Sequence, residues 1–278
     1  MRIASTMREL RWRAAGHYRR PLPDGFLAPL RGARALEVGG PSAVFGAAGL
    51  LPVYRTCAEI DGVQFSADTI WHGHQAGDYV PDGSRTGAMH VVDGGTLEGL
   101  PDGAYDAVIS SHVIEHLANP LGALAAWRRV SRPDGVLLVI APHMEGTFDH
   151  RRPVTTLAHL QEDFANAVGE DDLTHLEETL ALHDRARDAE AADMEAWASL
   201  RRDNAHNRLL HHHVFTTGSL LELLAYAGIA IEAVETRHPH DIYVIGRFAE
   251  PGSPAWDAAR TLRHSPFRSD RLEARRRA

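Results

Sequence analysis

Residues 34–42, Arg34-Ala-Leu-Glu-Val-Gly-Gly-Pro-Ser42, run a short apolar segment straight into a double glycine. Ala35 to Val38 reads as a buried strand with an acid near its end. Glycine lets a backbone approach a ligand closely, and a carboxylate accepts hydrogen bonds from ligand amines or hydroxyls. Ordinary strand turns use the same residues, so the constraint comes from the elements C-terminal to this turn and their spacing.

Those elements alternate. Pro52 to Asp61 reads as a second strand, ending 24 residues beyond Glu37 at an acid, Asp61, with Glu59 as runner-up. An acid about 20 residues after the first suits a ribose hydroxyl; the competing reading is a turn acid in Asp61-Gly62. Met89 to Asp93 reads as a strand, Tyr105 to His112 as another, and Val136 to Ala141 as a fully buried one ending at Pro142-His143. Between the last two, Ile114, Leu117, Leu121, Leu124 and Trp127 recur at three- and four-residue steps, which predicts a helix over 113–130. Thr217 to Ala227 reads as a capped helix, and Ile229–Val234 with Ile242–Gly246 as a closing hairpin. Strand–helix alternation predicts an α/β chain with a mostly parallel sheet covered on both faces.

Two regions break the rhythm. Residues 1–30 read as a basic helical arm, broken by Pro21-Leu-Pro-Asp-Gly25. Residues 144–210 carry few strand signals and many acids and histidines, and read as a helical lid inserted after strand five. The organisation expected is an arm (1–30), a cofactor-binding half (31–143), the lid (144–210), a C-terminal part of the same domain (211–248) and a partly ordered tail (249–278).

Composition narrows the function. The formal charge is −8, which disfavours nonspecific nucleic-acid binding. No run approaches the roughly 18–20 apolar residues of a membrane helix, and the N-terminus shows no secretory pattern. A cytoplasmic bacterial protein is expected, acting on a small molecule without nucleic acid or membrane, its state open between monomer and homodimer. Cys57 is the single cysteine, so an internal disulfide and cysteine-cluster metal sites are excluded. All basic residues are Arg, which removes lysine nucleophiles.

The motifs together resemble the class I S-adenosylmethionine-dependent methyltransferases from about residue 30 to 247. The resemblance rests on Leu36-Glu-Val-Gly-Gly40, Val92-Asp-Gly94, Tyr105-Asp-Ala-Val-Ile-Ser110, Ser111-His-Val-Ile-Glu-His-Leu117 and Arg132-Pro-Asp-Gly-Val-Leu-Leu-Val-Ile-Ala-Pro142. It implies a Rossmann-like fold with a mostly parallel seven-stranded sheet and S-adenosylmethionine as cofactor. It implies that Glu37, Gly39 and Gly40 contact the methionine part, that Asp61 binds ribose, and that Asp93 with Gly94 reads the adenine amino group. Ser110, Ser111 and His112 match the strand-four exit beside the cofactor. Pro41 departs from the usual Gly-x-Gly turn, fixing φ and removing a donor.

Methyl transfer from a sulfonium needs an aligned nucleophile and often a base. Histidine suits that role near neutral pH. By position the candidates are His143, then His112, with Asp149, His150, His159 and His213 from the lid side. For each histidine a structural role competes. A second reading groups His175 and His183 with Asp184, or His211 and His213 with Asp149, around Zn, Fe or Mn, against which counts the lack of HExxH spacing. The site expected holds no metal. A third reading keeps the cofactor but releases methylthioadenosine, by cyclisation or aminocarboxypropyl transfer. The fourth is a binding module without turnover. The acceptor expected is small and polar, methylated at O or N in biosynthesis.

Overall fold

The computed structural model describes residues 22–83, 87–188, 193–249 and 256–277. Most of the expected arm lies outside the described residues; Asp24–Phe26 and Ala28–Leu30 form two 3-10 turns.

The strands are β1 (Arg34–Val38), β2 (Glu59–Gln64), β3 (Asp68–Thr69), β4 (Gly73–His74), β5 (Gly77–Tyr79), β6 (Gly87–Val91), β7 (Tyr105–Ser111), β8 (Ser131–Pro142), β9 (Ile229–Arg237) and β10 (Asp241–Phe248). β3 and β4 form a separate hairpin, and the rest make one sheet in the order β5-β6-β2-β1-β7-β8-β10-β9. β6, β2, β1, β7 and β8 run parallel, while β10 and β9 close one edge antiparallel. The seven expected strands are there, with short antiparallel β5 added at the other edge.

Period-two side-chain alternation sorts the strands onto two cores. Leu36, Val38, Val108, Leu137 and Val139 face one side, against α1 (Pro120–Val130) and α5 (Thr217–Tyr226). Ala35, Ala107, Ile109, Leu138 and Ile140 face the other, under Phe26, Leu30, Phe45, Leu51 and Tyr54. Between β8 and α5 lie α2 (Leu157–Ala165), α3 (Leu176–Leu182) and α4 (Met194–Arg202).

Three expected elements differ. The helix over 113–130 starts only at Pro120, because Asn119 precedes a proline and is held at φ −130°, ψ 79°. Its side chain caps the helix by accepting from Gly122 N at 2.8 Å, and Pro120 sits where a missing N–H costs nothing. The second strand begins at Glu59, since Val53–Thr56 makes one helical turn. The expected partly ordered tail forms α6 (Ala258–His264) and α7 (Arg268–Arg277). Asp270 of α7 is fully buried, so this segment is part of the folded body.

Candidate active site

The carboxyl ends of β1, β2, β7 and β8 open into a cleft of about 1170 Å³. This is where open α/β sheets bind ligands. The far wall comes from the inserted region and the segment after it, including Phe148, Glu170, Arg187, Arg201, Arg208 and His211.

The turn after β1 is built around Glu37. Its carboxylate is fully buried and accepts from Tyr79 Oη at 2.6 Å, Tyr54 Oη at 3.1 Å and Ser42 N at 3.0 Å. Burial pushes the Glu37 carboxyl up, and these donors work against that shift. A Cβ on Gly40 would run into the Glu37 carboxylate and the Tyr79 hydroxyl. Glu37 and Gly40 therefore do not form the cleft wall; they hold the turn from behind. Gly39, at φ +79°, does line the cleft, and a Cβ there would stand 2.5 Å from Val113. The Gly40–Pro41 peptide is cis.

Asp61 also departs from its expected place. It lies early in β2, opposite Leu36, and accepts from Ala88 N at 2.7 Å, Tyr105 Oη at 2.9 Å and Arg34 Nη2 at 3.0 Å. Burial opposes its charge, but these partners hold its carboxyl below the usual range. The residue at the cleft end of β2 is Gln64, whose amide donates to the Gly40 carbonyl. A neutral glutamine after Val63 carries no acidic signal in the sequence. Asp93 and Gly94 do line the cleft. Asp93 accepts from Gly95 N at 2.7 Å and from Arg208 Nη2 at 2.7 Å. Arg208 also reaches Glu170 at 3.2 Å, and burial pushes the Glu170 carboxyl up to about 7. Of the two serines at the β7 exit, Ser111 lines the cleft, while Ser110 is fully buried behind it.

The histidines separate into three groups. His143 is fully buried, stacked on Phe267 with ring centroids 3.8 Å apart, and its Nε2 lies 3.2 Å from Asp270. It belongs to the packing of the C-terminal helices, away from the cleft. His150 pairs with Asp184 at 2.8 Å and also stays off the cleft. His159 and His213 meet His175 in a cluster of their own.

His112, His116 and His211 do face the cleft. His112 sits at φ +55°, with Nε2 3.1 Å from Asp241 and Nδ1 3.5 Å from Glu115. Burial disfavours its charge, but these two carboxylates outweigh it and push the ring up to about 10. A ring held protonated with both nitrogens engaged is not a neutral base. His116 is pushed the other way, down to about 3, by burial and by the neighbouring His211.

His211 is different. Its Nδ1 lies 2.5 Å from Asp149 Oδ2, and among the described residues its Nε2 makes no hydrogen bond. Asp149 is buried and is held in turn by Arg152 at 3.2 Å. Burial works against its charge, but His211 and Arg152 hold its carboxyl down at about 2. The expected residue Asp149 thus reaches the cleft only through His211. The sequence groups His211 with Asp149 only as a metal-ligand alternative together with His213, not as a base, and His213 lies in the other cluster. The alternative metal grouping of His175 and His183 with Asp184 does not form: His183 turns to Asp188 at 3.0 Å.

Residues 43–139 match the family model of a methyltransferase domain. Over that stretch the chain is similar to methyltransferase domains. Similar solved structures include a methyltransferase from Mesorhizobium loti, at 16% identity and TM-score 0.45, covering 81% of this chain and 93% of that one. Another is the 1,6-didemethyltoxoflavin-N1-methyltransferase of Burkholderia thailandensis, at 12% identity and TM-score 0.44, covering 88% and 90%. A methyltransferase from Aquifex aeolicus aligns at 13% identity and TM-score 0.41, over 81% and 86%. Among curated proteins none matches by sequence.

The cleft suits S-adenosylmethionine, the cofactor expected from the sequence, in three respects. Gly39 has the left-handed φ that lets the backbone pass close to a ligand. Gly94 is packed so tightly on Val38 that a Cβ would stand 2.6 Å from it. Asp93 presents a carboxylate beyond the end of β6. Among the described residues no helix is long and apolar enough to cross a membrane.

Proposed function

We propose that this protein is an S-adenosylmethionine-dependent methyltransferase that methylates a small polar acceptor at oxygen or nitrogen, with His211 as general base. The observation that carries the reading is the His211–Asp149 pair at 2.5 Å on the cleft wall. Asp149 accepts the Nδ1 proton, which fixes the tautomer whose Nε2 holds a lone pair. A hydroxyl acceptor gives its proton to that Nε2 as its oxygen attacks the methyl carbon, an ammonium gives it up first so that the free amine attacks, and the methyl–sulfur bond breaks with its electron pair left on sulfur. Such a base typically contributes about 10²–10⁴ in rate.

S-adenosylmethionine supplies the electrophilic methyl on a sulfonium. Gly39, Gln64, Asp93, Gly94 and Ser111 would hold it. His112, kept cationic by Asp241 and Glu115, orients the acceptor instead of deprotonating it. We read the inserted region as the part that sets acceptor choice, because Phe148, Arg187 and Arg201 come from it and line the same cleft.

Product analysis tests the reaction class. S-adenosylhomocysteine formed together with methylated acceptor supports it. Methylthioadenosine would show that another carbon of the sulfonium is attacked.

A further inference from the structure

We propose that His159, His175, His213 and Asp163 form a binding site for one divalent transition-metal ion, with zinc the best fit, separate from the cofactor cleft. None of the four lines that cleft. His159 and Asp163 stand one turn apart on α2, with Nε2 and Oδ2 3.3 Å apart. His175 precedes α3, and its Nε2 lies 2.9 Å from His159 Nε2. His213 comes from the segment leading into α5, its Nε2 3.9 Å from Asp163 Oδ2. Ring nitrogens of the three histidines all lie within 4.8 Å of one another.

These spacings suit a tetrahedral ion. With metal–ligand bonds of about 2.0–2.1 Å, neighbouring ligand atoms stand about 3.3 Å apart. The observed separations of 2.9 Å between His159 and His175 and 3.3 Å between His159 and Asp163 lie close to that value. Three imidazoles and one carboxylate make a donor set that zinc favours.

Proton counting points the same way. His159 Nε2 carries either one proton or one lone pair, yet it faces both an imidazole nitrogen and a carboxylate oxygen. Asp163 Oδ2 is buried without a hydrogen-bond partner. A buried polar atom without a partner is costly, so such a group calls for an explanation. A cation at the centre lets each ligand present a lone pair.

The ion would tie α2 and α3 of the inserted region to the stretch that carries His211. His213 is two residues from His211, and its Nε2 also lies 3.3 Å from the Ala118 carbonyl. Its role is then to anchor one wall of the cleft without touching the reacting groups.

The test uses the full chain without an affinity tag, stripped by a chelator and titrated with Co²⁺. The expected result is one equivalent bound, with the intense visible bands of tetrahedral cobalt, displaced by Zn²⁺. Zn²⁺ should also raise the unfolding temperature of the stripped protein. His159→Ala and His175→Ala should weaken Co²⁺ binding by at least about 100-fold, more than the roughly 10–100-fold typical of losing an outer-shell partner. His211→Ala should keep the bands, which separates this cluster from Glu115, His116 and His211 in the cleft. Circular dichroism and S-adenosylmethionine affinity confirm folding, and Asp163→Asn provides a milder variant should a histidine variant unfold. Absence of stoichiometric Co²⁺ in the native sequence would overturn the site. So would bands that survive His159→Ala and vanish in His211→Ala.

Discussion

Asp149 Oδ2 lies 2.5 Å from His211 Nδ1, although 62 positions separate them in sequence. The contact gives a cleft histidine a fixed tautomer. Asp149→Asn removes the acceptor that sets it. Turnover should fall by about 10²–10⁴, the range for losing a correctly oriented base. Affinity for S-adenosylmethionine, read by calorimetry, should stay within a few-fold. Equal losses in affinity and turnover would mean that Asp149 supports the cofactor pocket instead.

Glu37 gives a stability prediction. Its carboxylate is the common acceptor for Tyr54, Tyr79 and Ser42 N. Glu37→Ala leaves buried donors unpaired and should cost about 2–4 kcal/mol in a urea titration without cofactor. Tyr79→Phe removes one donor and should cost about 0.5–1.5 kcal/mol. Unchanged stability with abolished cofactor binding would restore Glu37 as a direct contact.

His143 should matter for folding and not for chemistry. Its ring is stacked on Phe267 and paired with Asp270, joining β8 to the C-terminal helices. His143→Ala opens a cavity and strips one partner from a buried carboxylate, which should cost about 2–4 kcal/mol. Turnover at saturating cofactor should stay within a few-fold at a temperature where the variant is folded. A folded but inactive variant would contradict the assignment.

Stability should depend on pH in two opposed ways, best measured on metal-stripped protein. Burial, with help from neighbouring histidines, pushes His116 and His212 down to about 3 and His213 well below its ordinary value. Between about 6.5 and those values the unfolded chain binds more protons, so stability drops as pH drops, by about 1.4 kcal/mol per unit for each ring. His112 has the opposite sign. Raised to about 10, its contribution is complete below about 6.5 and is lost as pH rises through about 10. Urea titrations from pH 4 to 10 should show the acid slope of His116→Gln reduced by one proton. His112→Gln should lack the alkaline loss.

The sheet is legible in the sequence because period-two and buried apolar runs such as Val136 to Ala141 can form little else. The start of α1 is not, because Ile114 and Leu117 keep helical spacing while lying in the turn before Asn119-Pro120, where local proline geometry prevails. Asp61 matches the ribose position by counting, but β2 starts late, so Gln64 reaches the cleft instead. His143 follows a strand that ends at the cleft, yet its ring turns toward α7, a segment whose sequence reads as a partly ordered tail. Which histidine meets which acid depends on chain segments dozens of residues apart, and no local pattern encodes it.

The most direct measurement follows an isotopically labelled methyl group from S-adenosylmethionine into a panel of small hydroxyl and amine acceptors. Native protein and the His211→Ala, His112→Gln and His143→Ala variants are compared at saturating cofactor. The predicted result is label in the acceptor with equimolar S-adenosylhomocysteine, and a loss of about 10²–10⁴ in His211→Ala with cofactor affinity kept. Full turnover by His211→Ala, or methylthioadenosine as the sulfur product, would contradict it.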